Sequence, residues 1–300
     1  MQTHFGIDLL EAEWPRAVAC IGTFDGVHLG HARVISSAVS SARDRGLPAV
    51  VITFDRHPAA ILAPDKCPLA VASIRSNLER FADLGVAATL VLPFDRALAD
   101  TRAEDFLLTV VRNAVKADLL VVGHDFAFGH DRVGTSEWLK GRIETIVIPP
   151  CEVDGVRVSS SSVRRAIAAG QMLEAHKWLG RPFAIEGVVV HGAAMGRKLG
   201  YPTANLARSF RQVTPSDGVY VGTAHCSDGS YRAAISVGLR PTIDATTRTI
   251  EAYLLDYKGD SLYGQSIALD FERRLRDQVK FDSLESLKEQ MAKDVAEARG

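Results

Sequence analysis

The residue periodicity changes once along the chain, at Gly180-Arg181-Pro182, and this change constrains the fold more than any other feature. Before it, short apolar runs alternate with segments of helical period, the pattern of a parallel sheet covered by helices. Strands are expected at Ala17 to Gly22, Ala49 to Thr53, Ala87 to Leu92, Asp118 to Gly123 and Glu144 to Ile148. Helices are expected at His31 to Asp44, Ser73 to Leu84, Ala103 to Val115 and Thr135 to Gly141, the third with Phe106, Val110, Val111 and Ala114 on one stripe. Two more helices, Ser161 to Ala169 and Met172 to Leu179, lead to the glycine and proline that stop them. The first half, 1–180, therefore reads as an α/β domain with a Rossmann-like, doubly wound parallel sheet. Beyond the break, Ile185 to Val190, Gly218 to Ala224, Arg232 to Val237, Thr249 to Asp256 and Ser266 to Phe271 are short and rich in Val, Ile, Thr and Tyr. Residues 181–300 read as an antiparallel β-barrel of five or more strands. It is closed by a helix from about Ser283, with Asp282 and Glu285 as capping pair and Leu284, Leu287, Met291 and Val295 as buried stripe.

Two domains agree with a length of 300 residues. A hydrophobic fraction of 47% with 24% charged residues supports a buried core. Thirty-five basic against 36 acidic residues leave a formal charge of −1, with no excess to hold a nucleic-acid backbone or an anionic membrane. No apolar run approaches the ~20 residues of a membrane span, and Met1 to Trp14 carries acids with no basic stretch ahead of an apolar one, so no secretory leader is expected. Cys20, Cys67, Cys151 and Cys226 lie far apart without a Cys-x-x-Cys pair, which suits a reducing cytoplasm and speaks against a zinc-thiolate site.

The sharpest local signal is Gly22-Thr23-Phe24-Asp25-Gly26-Val27-His28-Leu29-Gly30-His31, placed where the first strand passes into the first helix. Its glycines permit a tight turn and close approach of a ligand, and a helix start offers N–H groups and partial positive charge, so phosphate is the expected guest. His28 and His31, three apart, fall on one face of the first helical turn, where imidazoles can donate to phosphate oxygens. Two histidines at such a turn can also be surface residues or metal ligands. A zinc site, however, needs further ligands, and only His57, in the segment after the second strand, is at hand. A second element, Val158-Ser159-Ser160-Ser161-Ser162-Val163-Arg164, opens a helix with hydroxyls that either cap it or donate to phosphate, followed by a guanidinium fork. Combined, the two elements suit adenylyl transfer, which needs no protein nucleophile when donors hold the phosphates in line.

These two elements, together with Gly123-His124-Asp125-Phe126-Ala127-Phe128-Gly129 after a strand, resemble the adenylyltransferase half of bacterial bifunctional riboflavin kinase/FAD synthetases. The resemblance implies transfer of AMP from ATP to FMN with magnesium, giving FAD and releasing pyrophosphate. It implies that His28 and His31 contact the ATP phosphates within a binding turn of Gly22, Thr23, Phe24, Asp25 and Gly26, and that Ser160, Ser161 and Arg164 complete the clamp. His28, His31 and Arg164 are then catalytic, and His57, Asp125 and Phe128 line the flavin side. Thr23 stands where the family commonly has Asn and Ser161 where it has Thr. The segment around Leu69 to Arg75 lacks the family's Leu-Thr-Thr and Lys pattern.

In the second half, Gly192-Ala193-Ala194-Met195-Gly196-Arg197-Lys198-Leu199-Gly200 forms a glycine-rich loop before Tyr201-Pro202-Thr203-Ala204-Asn205. The loop could fold over phosphates. Thr203 and Asn205, two apart on an extended edge segment, project to one side and suit a hard cation such as Mg2+. As an isolated pattern this is equally a flexible barrel loop before an edge strand. The Pro-Thr-Ala-Asn motif at Pro202 to Asn205 and the later Glu251 also resemble the riboflavin kinase half of the same family, which extends the likeness from about Val18 to the final helix. That resemblance implies that Thr203 and Asn205 bind the metal, that Gly196, Lys198, Pro202, Thr203 and Asn205 bind ATP, and that Gly192 and Arg240 meet the flavin. It makes Glu251 the general base on the terminal ribityl hydroxyl of riboflavin. The expected protein is a cytoplasmic enzyme acting on the small molecules riboflavin, FMN and ATP. The rivals are a single-activity adenylyltransferase and a flavin-binding regulatory protein of the same fold.

Overall fold

The computed structural model describes residues 1–9, 14–192, 200–239 and 248–300. Packing divides the chain into Met1–Ser160 and Ser161–Gly300. In the first unit, strands β1 (Gln2–Phe5), β2 (Ala17–Ile21), β3 (Ala49–Phe54), β4 (Ala88–Leu92), β5 (Ala117–Gly123) and β6 (Glu144–Ile148) form one parallel sheet in the order β1-β4-β3-β2-β5-β6. The expected strands are all present. β1, short and mostly polar, had no apolar run to announce it.

β2 reads as continuous apolar sequence because both of its faces are buried. Ala17, Ala19 and Ile21 pack with Phe106, Leu107 and Val110 on one side, whereas Val18 and Cys20 pack with Val34, Ile35 and Phe81 on the other. The helices over these faces include α1 (Leu29–Arg45), α2 (Ile74–Asp83) and α3, which starts at Ala103–Phe106 and widens into a π-helical run over Leu107–Ala114. Val115 N–H bonds Val110 O, a five-residue step, and the wider turn brings Phe106, Val110, Val111 and Val115 all to the sheet. Strand order reverses between β2 and β5, the place where open α/β sheets bind ligands at the carboxyl ends of their strands.

The second packing unit begins within the first turn of α4 (Ser160–Ala168), just after Ser160, and α5 (Met172–Leu179) follows. α5 ends on Gly180 at φ 71° with Gly180 N–H on His176 O, the stop read from sequence. The packing division falls at the start of α4 rather than after α5 because α5 lies against two barrel strands, β7 and β12. The barrel is closed and antiparallel. Its strands β7 (Phe183–Val190), β8 (Thr203–Ala207), β9 (Gly218–Cys226), β10 (Gly229–Leu239), β11 (Arg248–Leu254) and β12 (Ser266–Arg276) run in the order β7-β8-β11-β10-β9-β12. The Thr203 segment is therefore not an edge: β8 bonds β7 on one side and β11 on the other, and closure removes every edge.

α6 (Leu284–Arg299) follows, with two corrections. Its capping box is Ser283 with Ser286, not Asp282 with Glu285, because the Ser283 hydroxyl accepts the Ser286 amide at 3.1 Å while Ser286 Oγ accepts the Ser283 amide at 3.3 Å. Its buried positions are Asp294 and Ala298, while Leu284 is 57% exposed. Leu287, Met291 and Val295 are half-buried.

Candidate active sites

The Gly22 to His31 segment leaves β2 as a tight bend in which Phe24 (φ 45°), Gly26 (φ 77°) and Val27 (φ 40°) all take left-handed backbone angles. Such angles cost about 1–3 kcal/mol at each non-glycine residue and persist only where surroundings impose them. Gly26 is required twice over, since a Cβ there would also fall 2.5 Å from Val71 Cγ1. The bend delivers His28 to the N-cap of α1, where its Nδ1 accepts from the Gly30 amide at 3.1 Å and the His31 amide at 3.3 Å. Two amides expected to meet phosphate are thus engaged by the His28 ring itself. With Nδ1 an acceptor, Nε2 carries the hydrogen of the neutral ring. The His31 ring stacks on His28, centroids 3.6 Å apart, and meets the edge of Phe24. His28 is only 5% exposed, yet both rings line a cavity of about 680 Å³.

That cavity sits at the carboxyl ends of β2, β3, β5 and β6, bringing together Gly22, Thr23, Phe24, His28, His31, Asp125, Phe128 and Ser160 from the expected set. Ser160 opens α4 and its hydroxyl donates to Asp25 O at 3.3 Å. Ser161 and Arg164 follow on the same helix, in the second packing unit.

Other expected residues have different positions. The Asp25 carboxylate accepts the amides of Val71, at 2.9 and 3.0 Å, and Ala72, at 3.2 Å, so it pins the atypical 69–75 segment and does not line the cavity. Gly26 is likewise behind the lining, with its amide donating to Asn77 Oδ1 at 3.1 Å. His57 stands just ahead of Pro58, the N-cap of the short Ala59–Leu62 helix, with Nδ1 accepting from the Ala59 amide at 3.1 Å, and is not among the lining residues. Asp125 pairs with Arg157 at 2.8 Å. Phe128 is largely buried between Phe106, Phe126 and Trp138.

Sequence reasoning missed Phe54 and Phe94, an edge-on pair 5.4 Å apart on the cavity wall, and Phe126. Each stands at or just past a strand's end, the one signal that pointed to them. Asp55, next to Phe54, holds this wall by accepting the Phe94 amide at 2.9 Å. Burial pushes its carboxyl up, but hydrogen bonds from Arg56 and Phe94, with the Arg56 charge, more than reverse this and leave it below the usual carboxylate value.

In the barrel the site is set by register. Thr203 lies opposite Tyr253 and Asn205 opposite Glu251, so the four side chains share the outer face while Ala204 and Ala252 turn inward. Thr203 Oγ1 donates to Glu251 Oε2 at 3.3 Å. Asn205 is 7% exposed and fits against Gly192, where a Cβ would come within 2.4 Å of its carboxamide nitrogen. Gly192, Pro202, Thr203 and Asn205 line a cavity of about 500 Å³ with Tyr253, Tyr257, Lys258 and Tyr263, which the sequence did not single out. Glu251 stands beside this lining rather than in it. Gly196, Lys198 and Arg240 lie outside the described residues. A hydroxyl and a carboxamide oxygen beside a carboxylate form a hard donor set suited to magnesium.

Comparison with known proteins agrees with both halves. A family model described as FAD synthetase matches residues 10–162, and one described as riboflavin kinase matches residues 179–300. The bifunctional riboflavin kinase/FMN adenylyltransferase of Escherichia coli (strain K12) is 37% identical, over 97% of this chain and 95% of that protein. The Bacillus subtilis (strain 168) protein of the same name is 30% identical over 97% and 94%. A crystal structure described as a macrolide-efflux protein from Streptococcus pneumoniae superimposes with a TM-score of 0.90 at 34% identity, covering 100% of this chain and 99% of that one. Efflux is that protein's description; among the described residues here, no helix is long and apolar enough to cross a membrane. On sequence and fold together, the chain belongs to the bifunctional riboflavin kinase/FMN adenylyltransferase family.

Proposed function

We propose that residues 1–180 adenylylate FMN at the histidine-lined cavity and that residues 181–300 phosphorylate riboflavin at the Thr203–Asn205–Glu251 face. The two activities, riboflavin to FMN and FMN to FAD with ATP in each, are those of the family. The observation that carries the division of labour is the placement of each motif on its own cavity, His28 and His31 on one and Thr203 and Asn205 on the other.

In the first site the FMN phosphate attacks the α-phosphorus of ATP and pyrophosphate leaves. His28 donates from Nε2 and the His31 imidazole stands beside it, so that charge growing on the phosphate oxygens meets fixed donors. The Ser160 hydroxyl adds a further donor on the cavity lining, and the phenylalanine wall with Asp125 and Phe128 takes the flavin.

In the second site Glu251 accepts the proton of the ribityl hydroxyl as that oxygen attacks the γ-phosphorus. Thr203 donates its hydroxyl hydrogen to Glu251, which leaves its oxygen an acceptor toward a cation and orients the carboxylate. Thr203 and Asn205 would hold magnesium, which, when bound, offsets the negative charge developing on the transferred group. The reactions belong to the cytoplasm, where ATP and free flavin meet. Incubating the protein with riboflavin, ATP and magnesium, then separating FMN from FAD, tests the reading: both products are expected, and FMN supplied in place of riboflavin, with ATP and magnesium, is expected to yield FAD.

A further inference from the structure

The phosphate bend is held from behind by a residue that touches neither cavity. Asn77 sits one turn into α2, is 5% exposed, and its Oδ1 accepts the Gly26 amide. Its position is set by the start of the helix: Ser73 caps α2 through the Ser76 amide, and the Asn77 amide bonds Ser73 O. Four residues on and on the same face, fully buried Phe81 meets the ring of Phe24 edge-on at 5.8 Å. One face of α2 therefore grips both ends of the Phe24–Asp25–Gly26 bend, by an acceptor at Gly26 and a ring at Phe24. Asp25 returns the grip by holding the Val71 and Ala72 amides ahead of that helix. A buried carboxamide in mid-helix is costly unless its bonds are made, and this one is joined to a segment whose backbone angles need outside support.

We propose that Asn77 is a positioning residue for adenylyl transfer, acting through the Gly26 amide to fix the bend and, one residue past Val27, the His28 imidazole. The inference rests on the reading of that bend as the nucleotide site. Displacing a catalytic group by about 1 Å costs on the order of a hundredfold. Asn77→Ala is therefore expected to lower kcat for FAD formation from FMN by about 10- to 100-fold. FMN formation from riboflavin by the same protein should stay within about twofold, serving as the internal control on folding. Asn77→Asp, which keeps an acceptor at this position, is expected to recover most of the loss, a recovery that simple filling of space would not require.

Unchanged FAD formation in Asn77→Ala overturns the proposal. So does an equal fall of both activities, or an Asn77→Asp protein no better than Asn77→Ala. His28→Ala, measured alongside, separates the two levels of inference. If it spares FAD formation, the nucleotide reading of the bend is wrong; if it abolishes FAD formation while Asn77→Ala does not, only the role of Asn77 is lost.

Discussion

The two candidate sites handle the same co-substrate with different parts of the polypeptide. In the α/β unit, a backbone bend with three left-handed residues presents imidazoles at a helix N-cap. In the barrel, ordinary strand register presents a hydroxyl, a carboxamide and a carboxylate on one face. The acids are used in opposite ways as well. Asp25 and Asp55 accept backbone amides and hold loops, whereas Glu251 accepts the side-chain hydroxyl of Thr203 at 3.3 Å and stands beside the cavity. The difference teaches that an acid inside a recognisable motif is not thereby a ligand: Asp25 lies in the most telling sequence of the chain and serves its geometry.

The sharpest way to break this comparison is a crossed pair of substitutions. His28→Ala removes both the N-cap acceptor and the ring donor and is expected to lower FAD formation at least about 10³-fold, leaving FMN formation within about twofold. Glu251→Ala should do the reverse, by about 10²- to 10⁴-fold. Incubation with riboflavin, ATP and magnesium reads FMN formation, and a separate incubation with FMN in place of riboflavin reads FAD formation independently of it. If either change removes both activities from a folded protein, the sites are not independent.

Next in size is the face proposed to hold the cation. Thr203→Val keeps the shape but removes the hydroxyl that donates to Glu251, and a loss of about 10²-fold in riboflavin phosphorylation is expected, with Thr203→Ser recovering most of it. A titration with magnesium should show a raised requirement in the Val variant. An unaltered requirement would remove Thr203 from the metal's ligands and leave it only the orientation of Glu251. Smaller again is Gly192→Ala. The added Cβ would overlap the Asn205 carboxamide, so that side chain must move, and about a tenfold fall in phosphorylation is expected with adenylylation untouched.

These residues differ in how readily the sequence disclosed them, and the reason is physical. The bend, the histidine pair and the Pro202 to Asn205 motif are local, and the two periods on either side of Gly180 gave the architecture. What pairs across the chain was not legible. Thr203 to Ala207 resembled an edge because nothing in those residues states that β11 returns to cover them. Asn77 is hidden among helix polar residues until Gly26 is folded against it. Asp294 broke the expected apolar stripe of α6 because its partner, Arg276 at 2.6 and 2.8 Å, lies on β12. The misread capping box differed by one position, since Asp282 and Ser283 are both good caps and only the entry angle of the chain selects between them.

The smallest effect probes the loop-holding acids themselves. Asp55→Asn keeps an oxygen for the Phe94 amide but removes the charge that draws Arg56 and strengthens both bonds, a loss of about 1 kcal/mol in the stability of the α/β unit at neutral pH. The sign with pH is fixed. The folded carboxyl titrates below its unfolded value, so its contribution is complete above about pH 4, the ordinary Asp value, and is lost as pH falls through the folded one. Denaturation of the two proteins at neutral and acid pH should therefore show a gap that closes in acid, with FAD formation at neutral pH the same within about twofold. A gap of unchanged size in acid would mean that the charge contributes nothing. A large loss of FAD formation would mean that Asp55, unlike Asp25, takes part in the chemistry, and the contrast between loop-holding and reacting carboxylates would fail at this position.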